Sequence, residues 1–216
     1  MKRIKTQIVF LGVIMIAFFG LVSSCTKKNS AKSIVGLQPL GKVNTKLLDS
    51  IVIELERSGV FQCIVLPQTQ MPSMAFVHIK TPRYRADKLL RYLKKNKPDS
   101  VQYIMGITSL DISTTKKDNL GNTLKPESKY EDWGVFGLGY KPGVASVVSI
   151  YRLKSKPSLL SERLQKVCLH ELGHNLGLPH CDSQKDCVMS DAAESISTID
   201  REAKQYCTSC VGKLRD

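Results

Sequence analysis

Two patterns of hydrophobic residues alternate along the chain, one typical of strands and the other typical of helices. Apolar runs rich in β-branched residues predict strands, and these occupy residues 33–40, 61–66, 101–108, 135–140 and 144–151. Leucine and isoleucine at helical spacing predict helices over residues 45–57 and 85–94, and a third helix is expected over 162–176. Strands and helices therefore alternate through most of the chain.

Polar segments separate several of these elements. Residues 113–130 are polar throughout and predict an exposed excursion rather than regular structure. Residues 141–143, Lys-Pro-Gly, form the kind of turn that joins two strands of a hairpin. Ser161 is the expected N-cap of the third helix, where Glu162 suits the positive end of the helix dipole.

The first 25 residues have the order of a secretory signal. Lys2, Arg3 and Lys5 precede an apolar run over residues 8–22, and two serines then lead to Cys25. The alternative is a transmembrane helix, but the run is shorter than the ~18 to 20 residues that a span needs. Residues 21–25, LVSSC, resemble the lipobox of bacterial lipoproteins, which implies that Cys25 is lipidated and becomes the first mature residue.

These features divide the chain into three parts. We expect a lipoprotein signal peptide over residues 1–24, a lipidated N-terminus and tether over 25–33, and one domain over 34–216. With 42% hydrophobic and 24% charged residues, that domain is predicted to be globular rather than disordered. The predicted location is a membrane-anchored lipoprotein of a bacterial cell envelope.

The chain is strongly basic, with a formal charge of +13, which becomes +10 when the three basic residues of the signal peptide are removed. An exported protein is not expected to bind nucleic acid, and the charge instead favours proximity to anionic lipids. Residues 80–97 carry eight basic side chains against one aspartate. We interpret this run as a solvated helix face rather than a binding patch.

Residues 170–180, HELGHNLGLPH, contain three of the four histidines in the chain. His170 and His174 are four residues apart on the predicted helix, so they share one face and can bind one metal ion. Glu171 lies about 100° around the helix, where it can reach a water on the metal without binding the metal itself. This spacing predicts Glu171 as the general base.

The third ligand has to come from beyond the helix. Gly177 can end the helix in the left-handed conformation, and Pro179 then holds Leu178 extended, so that the chain turns back and delivers His180 to the metal. Three imidazoles and one open position are typical of a catalytic zinc. The complete pattern, HExxHxxGxxH, is the metzincin motif. His78 lacks such spacing and is predicted to be a strand or loop residue.

Four cysteines follow the histidines: Cys181, Cys187, Cys207 and Cys210. Two pairs of thiolates match a closed structural zinc site. An oxidising compartment would instead favour disulfides. The chemistry of the residues leaves both interpretations open. Cys63 and Cys168 fit neither site and are predicted to be small buried hydrophobic residues.

The segments HELGHNLGLPHC, CVM and YCTSC resemble the archaemetzincin signature. The likeness extends through VGLQPLG, RYRADKLL, GITSLDI, VFGLGYKPGVASVVSIYRL and ERLQKVCLHELGH. It implies an α/β fold: a single metzincin-like domain with a twisted mixed sheet of about five strands packed on helices, and an active-site helix followed by a C-terminal zinc-knuckle subregion.

The same resemblance assigns further residues. It implies that Cys181, Cys187, Cys207 and Cys210 bind a structural zinc. It also implies that Met189 is the Met-turn residue beneath the imidazoles, and that a peptide binds as an extra strand along residues 135–140. The family usually has four residues between its first two cysteines, whereas this chain has five.

We therefore expect a zinc-dependent metallopeptidase that hydrolyses peptide bonds by Glu171-assisted attack of a zinc-bound water. It would hold two Zn²⁺ per chain, one catalytic and one structural, and act on a peptide or protein substrate while bound to the membrane through its N-terminal lipid. The alternatives are a catalytically weak or inactive zinc-binding surface lipoprotein and a disulfide-stapled interaction module. The sequence does not indicate the oligomeric state.

Overall fold

The computed structural model describes residues 32–182, 187–190 and 195–214. The predicted signal peptide, Cys25 and most of the predicted tether lie outside these residues. Each predicted strand and helix is present, with bounds within two residues of the expectation. The first strand begins at Ser33, the last residue of the predicted tether.

The described residues form nine strands and six α-helices, besides three short 3-10 helices. The strands are β1 Ser33–Leu40, β2 Phe61–Val65, β3 Phe76–His78, β4 Pro82–Arg85, β5 Tyr103–Thr108, β6 Ile112–Thr114, β7 Trp133–Val135, β8 Gly137–Gly139 and β9 Ala145–Ser149. The helices are α1 Thr45–Arg57, α2 Ala86–Lys95, α3 Glu127–Tyr130, α4 Leu160–Asn175, α5 Ile196–Arg201 and α6 Thr208–Lys213.

The central sheet has five strands in the order β2-β1-β5-β9-β8. The first four are parallel, and β8 is antiparallel to β9. The predicted mixed sheet of about five strands is thus confirmed, as is the hairpin turn over residues 141–143. β8 lies at one edge of this sheet.

A second sheet of four strands, in the order β3-β4-β6-β7, was not predicted. Its strands are only three or four residues long, too short for hydrophobic alternation to show in the sequence. The predicted excursion over residues 113–130 is wrong at both ends, because Ser113 and Thr114 belong to β6 and Glu127–Tyr130 forms α3. His78 ends β3, as the sequence suggested.

Helices cover both faces of the central sheet. Leu48, Ile51 and Leu55 of α1 share one buried cluster with α4, and Leu89 and Leu93 of α2 belong to a second cluster. Burial of these apolar side chains provides most of the stability of the layers. The described helices include none with the length and apolar character that a membrane crossing requires.

Helix α4 carries the histidine motif and is buried along most of its length. Its predicted N-cap is wrong: the helix begins at Leu160, and the hydroxyl of Ser161 contacts the Ser50 hydroxyl of α1 at 3.0 Å. The buried guanidinium of Arg163 donates two hydrogen bonds to Asp200 of α5, at 2.6 and 2.7 Å. These contacts hold α4 to α1 and to α5.

Candidate active site and metal centres

The C-terminal end of α4 brings three imidazoles together. Gly177 has a φ of +94°, which ends the helix, and its N–H donates to the carbonyl of His174 at 2.9 Å. The N–H of Leu178 donates to the carbonyl of Gly173 at 2.9 Å, and the side chain of Leu178 is buried. Both contacts hold the segment after the helix in the turn that brings it back beside α4. His180 then lies beside the helix, as the motif predicted.

The three rings form one cluster. Ring centroids are 4.7 Å apart for His170 and His174, 5.4 Å for His170 and His180, and 4.9 Å for His174 and His180. One ligand atom from each residue lies within 4.8 Å of the others. The sequence prediction that these residues converge is therefore correct.

Backbone carbonyls orient two of the rings. Nδ1 of His170 lies 2.8 Å from the carbonyl oxygen of Val188, and Nδ1 of His174 lies 2.8 Å from that of Leu178. A carbonyl oxygen can only accept, so Nδ1 carries the proton in both rings and Nε2 carries the lone pair that a metal needs. This donor set fits zinc.

Glu171 lies on the floor of the same cavity and is buried. Desolvation raises the pKa of its carboxyl group to about 8. A hydrogen bond from the backbone N–H of Gly139 lowers this pKa, but by less than desolvation raises it. A Cβ added to Gly137 would lie 2.6 Å from Oε1 of Glu171, and one added to Gly139 would lie 2.8 Å from its backbone carbonyl. The two glycines of β8 thus leave room for this residue, a role that the sequence did not reveal.

The cavity above the histidines has a volume of about 310 Å³. One wall is the chain from Trp133 to Gly139, which includes β7 and β8, and Lys116 and Lys141 complete the lining with the histidines and Glu171. Within the predicted substrate segment 135–140, β8 is the strand that lies at the sheet edge along the cavity.

Asn175 connects the helix to this wall. Its side-chain Nδ2 donates to the carbonyls of Tyr140 and Ala145, both at 3.0 Å, and its backbone carbonyl accepts from the N–H of Gly143 at 3.1 Å. It therefore fixes the end of α4 against the turn between β8 and β9. An asparagine inside a helix gave no sequence signal of this contact.

The four C-terminal cysteines form a second cluster. Sγ of Cys181 lies 3.7 Å from that of Cys207, and Sγ of Cys187 lies 3.7 Å from that of Cys210. Disulfide sulfurs are bonded at ~2.05 Å, whereas two thiolates on one tetrahedral zinc at ~2.3 Å lie about 3.8 Å apart. The cluster thus fits a closed zinc site. Residues 183–186, which include most of the longer spacing between the first two cysteines, lie outside the described residues.

Met189 connects the two clusters. Its carbonyl accepts from the N–H of Cys181 at 2.7 Å, and its fully buried thioether lies against Gly173 between the two helical histidines. Tyr206 also contacts Gly173, and its hydroxyl donates to the carbonyl of Leu169 at 2.6 Å. Gly173 and Tyr206 were missed as site residues because their contacts depend on segments distant in sequence.

Comparison with known proteins identifies the family. A model of peptidase family M54 matches residues 64–216. This chain belongs to peptidase family M54. The archaemetzincin of Haloquadratum walsbyi is 29% identical over 189 residues, covering 82% of this chain and 96% of that protein.

Solved archaemetzincins have the same fold. The crystal structure from Methanopyrus kandleri has 26% identity and a TM-score of 0.67, and the match covers 88% of this chain and 97% of that one. The structure from Archaeoglobus fulgidus, complexed with malonate, has 26% identity and a TM-score of 0.63 and covers 83% and 99%. The chain is thus an archaemetzincin metallopeptidase, a hydrolase. The predicted cofactors, a catalytic zinc and a second structural zinc, agree with its two clusters.

Two cysteines lie apart from the archaemetzincin clusters, as predicted. Cys168 is fully buried in α4, and burial raises the pKa of its thiol well above the usual value. Cys63 is half-buried in β2, and burial, followed by the charge of Glu56, raises the pKa of its thiol to about 12.

Proposed function

We propose that this archaemetzincin cleaves peptide bonds with Glu171 as general base and with His170, His174 and His180 as ligands of the catalytic zinc. The observation that carries the proposal is the position of the buried Glu171 carboxylate. It faces the same cavity as three imidazoles, two of which are turned by carbonyl groups to present Nε2.

Zinc at this site would lower the pKa of a water molecule and polarise the carbonyl group of the substrate. Glu171 accepts the proton of the attacking water and passes it to the nitrogen of the leaving amine. Val188 and Leu178 hold the rings of His170 and His174 in one tautomer through their carbonyl oxygens. Burial of Glu171 keeps its carboxylate poorly hydrated and therefore a stronger base than an exposed one.

A substrate peptide would pair with β8, the edge strand beside the cavity. Its backbone would add a strand antiparallel to β8, and this pairing would present a peptide carbonyl to the metal site. Gly137 and Gly139 carry no side chain, so neither displaces Glu171 from beneath that peptide. The resemblance supports this binding mode as well.

The four cysteines are proposed as ligands of the structural zinc. A closed zinc at Cys181, Cys187, Cys207 and Cys210 would hold α6 beside the segment that carries Met189. Since Val188 orients His170 and Met189 contacts α4, loss of this centre would loosen the catalytic histidines.

The test of the proposed base is Glu171→Gln, with Glu56→Gln as a matched control on α1. The first variant should retain two zinc ions per chain and lose at least about a hundredfold in peptide hydrolysis. The control should keep both properties. Full hydrolysis by Glu171→Gln would refute the role of Glu171, and absence of hydrolysis by the wild-type holoenzyme would favour the alternative of an inactive zinc-binding lipoprotein.

We also propose that the protein is exported and anchored by lipid on Cys25 to a membrane of a bacterial cell envelope. The support is the order of basic, apolar and small residues before Cys25. Mass spectrometry of the mature chain should find an acylated Cys25 as residue 1. Cys25→Ser should release the protein from the membrane fraction; an unmodified N-terminus in the wild type would overturn the proposal.

A further inference from the structure

Strand β7, which forms part of the cavity wall, has an apolar side and a charged side. Its Val135 lines the cavity and pairs with Ile112 of β6, and both side chains pack in the second apolar cluster. The next residue, Gly134, pairs with Ser113, which in turn pairs with Arg85 of β4. Successive residues of a strand point to opposite faces of a sheet, so this second row lies behind the cavity wall.

Two arginines of β4 hold the segment that leads into β7. Nη1 of Arg83 donates to the carbonyl of Asp132 at 3.0 Å, and Nη1 of Arg85 donates to that of Glu131 at 2.8 Å. Nε of Arg83 also lies 3.3 Å from Oδ2 of the buried Asp111. The arginines thus fix this segment to β4, although β6 lies between β4 and β7 in the sheet.

A third arginine lies directly on β7. The guanidinium of Arg152 donates from Nε and Nη2 to the two carboxylate oxygens of Asp111, at 2.7 and 2.8 Å. A Cβ added to Gly134 would lie 2.1 Å from Cζ of Arg152, so the guanidinium packs against the bare backbone of this glycine. Two parallel bonds to one carboxylate hold a planar guanidinium in one orientation. The pair therefore limits how far β7 can move away from the cavity.

The sheet itself provides little to fix β7. The strand has three residues, and β6 is its one neighbour among the described strands. A buried ion pair adds little net stability, because desolvation offsets the attraction between its charges. The position that the pair of Arg152 and Asp111 enforces on β7 explains its presence better than a gain in stability does.

From these contacts we propose that Arg152 is a positioning residue for the substrate, which acts through Gly134 to set the place of β7 in the cleft. The proposal rests on the proposed function, in which a peptide pairs antiparallel with β8. Such a peptide runs toward β7, because β7 precedes β8 in the chain. The residues after the cleaved bond would therefore lie along β7, and loss of the Arg152 contact would weaken the binding of that part alone.

The chain contains its own probe of the wall. Trp133 is the only tryptophan in the sequence, and it is half-buried in β7 beside Gly134. Quenching of its fluorescence by acrylamide measures its exposure without any turnover. The experiment uses the full-length zinc-loaded protein with Arg152→Lys, which keeps the charge but loses the planar fork. Asp111→Asn weakens the same pair from the other side and decides the question if Arg152→Lys does not fold.

Two controls separate positioning from other effects. Arg91→Lys makes the same change in an exposed ion pair on α2, where Nη2 of Arg91 lies 3.1 Å from Oδ2 of Asp87. Leu48→Ala leaves a cavity beneath α1 in the first apolar cluster, so it lowers stability without altering the contacts of β7. Neither control should change the quenching of Trp133.

A peptide pair reports the effect on the substrate. A casein peptide that the wild type cleaves is identified by mass spectrometry and synthesised in two lengths, with four residues or one residue after the cleaved bond. Arg152→Lys should raise the KM of the longer peptide about fivefold and leave its kcat within about twofold. The KM of the shorter peptide and the zinc content should not change, whereas the quenching of Trp133 should rise. Asp111→Asn should give the same pattern.

Unchanged quenching in Arg152→Lys and Asp111→Asn would overturn the proposal. An equal rise in KM for both peptides would do so too, as would the same changes in either control. The outcome is separable from that of the proposed function. Absence of casein cleavage by the wild type counts against the proposed activity, while the quenching still decides whether Arg152 positions β7. Cleavage by the wild type with no response to Arg152→Lys refutes only the positioning role.

Discussion

Gly137 and Glu171 lie so close together that a Cβ on the glycine would be 2.6 Å from the carboxylate oxygen Oε1. The edge strand and the proposed base are therefore packed directly on each other, although 33 residues separate them in the sequence. Whatever displaces β8 also displaces Glu171.

This contact predicts a large effect of small substitutions. Gly139→Ala would place a Cβ 2.8 Å from the backbone carbonyl of Glu171, and the helix backbone cannot yield as a flexible side chain can. A shift of the base by about 1 Å costs on the order of a hundredfold in rate. We expect that loss in kcat/KM for Gly139→Ala, with the zinc content unchanged.

Gly212→Ala is the matched control, because nothing lies within 4 Å of an added Cβ in α6. It should retain wild-type activity. If Gly139→Ala were equally active, the contact between β8 and Glu171 would have no bearing on catalysis.

The close packing of Met189 on α4 gives a second prediction. A Cβ at Gly173 would lie 2.4 Å from Sδ of Met189, so Gly173→Ala overpacks the space beneath the histidines. Its free energy of unfolding should fall by about 1 to 3 kcal/mol. Denaturant titration of the holoenzyme measures the change.

A double-mutant cycle isolates this contact. Met189→Ala removes the thioether, so Gly173→Ala should cost less in that background than in the wild type. Additive costs for the two substitutions would contradict the packing of Met189 against the helix.

The amide of Asn175 predicts a third effect. Asn175→Asp replaces the group that donates to the carbonyls of Tyr140 and Ala145 with one that can only accept. The buried carboxylate would face two carbonyl oxygens, so we expect a loss of about 2 to 3 kcal/mol in the free energy of unfolding. Asn96→Asp removes an exposed amide at the end of α2 and should cost much less. Equal losses would show that the contact does not fix the β8–β9 turn.

Thiol counting distinguishes zinc from disulfides at the four cysteines. In a Cys25→Ser chain, chelation and unfolding without reductant should expose six reactive thiols if the cluster bound zinc, but two if it held disulfides.

In the folded holoenzyme, Cys63 should alkylate slowly at pH 8, because a pKa of about 12 leaves roughly one thiolate in ten thousand. Rapid labelling of Cys63 would contradict its burial.

The sequence predicted what depends on local spacing. The four-residue step from His170 to His174, and the turn at Gly177 that returns His180, follow from helix geometry and backbone preference. The bounds of α1, Thr45–Arg57, could also be predicted, because apolar residues recur at helical spacing over three turns of the sequence. These features require no knowledge of distant segments.

The remaining features depend on contacts between distant segments. The three- and four-residue strands of the second sheet are too short to show periodicity. Serine is a residue type that often caps helices, yet the hydroxyl of Ser161 contacts Ser50 of another helix. The roles of Asn175 and Gly137 depend on the docking of α4 against the β8–β9 hairpin, which no local pattern encodes.

The central claim is that imidazoles from both sides of the break at Gly177 bind one zinc ion. Its most direct test is the zinc content of His180→Gln beside wild type, with His78→Gln as the control for loss of a histidine outside the cluster. We predict two zinc ions per chain in the wild type and the control, and one in His180→Gln. Two zinc ions in His180→Gln, held as tightly as in the wild type, would contradict the claim.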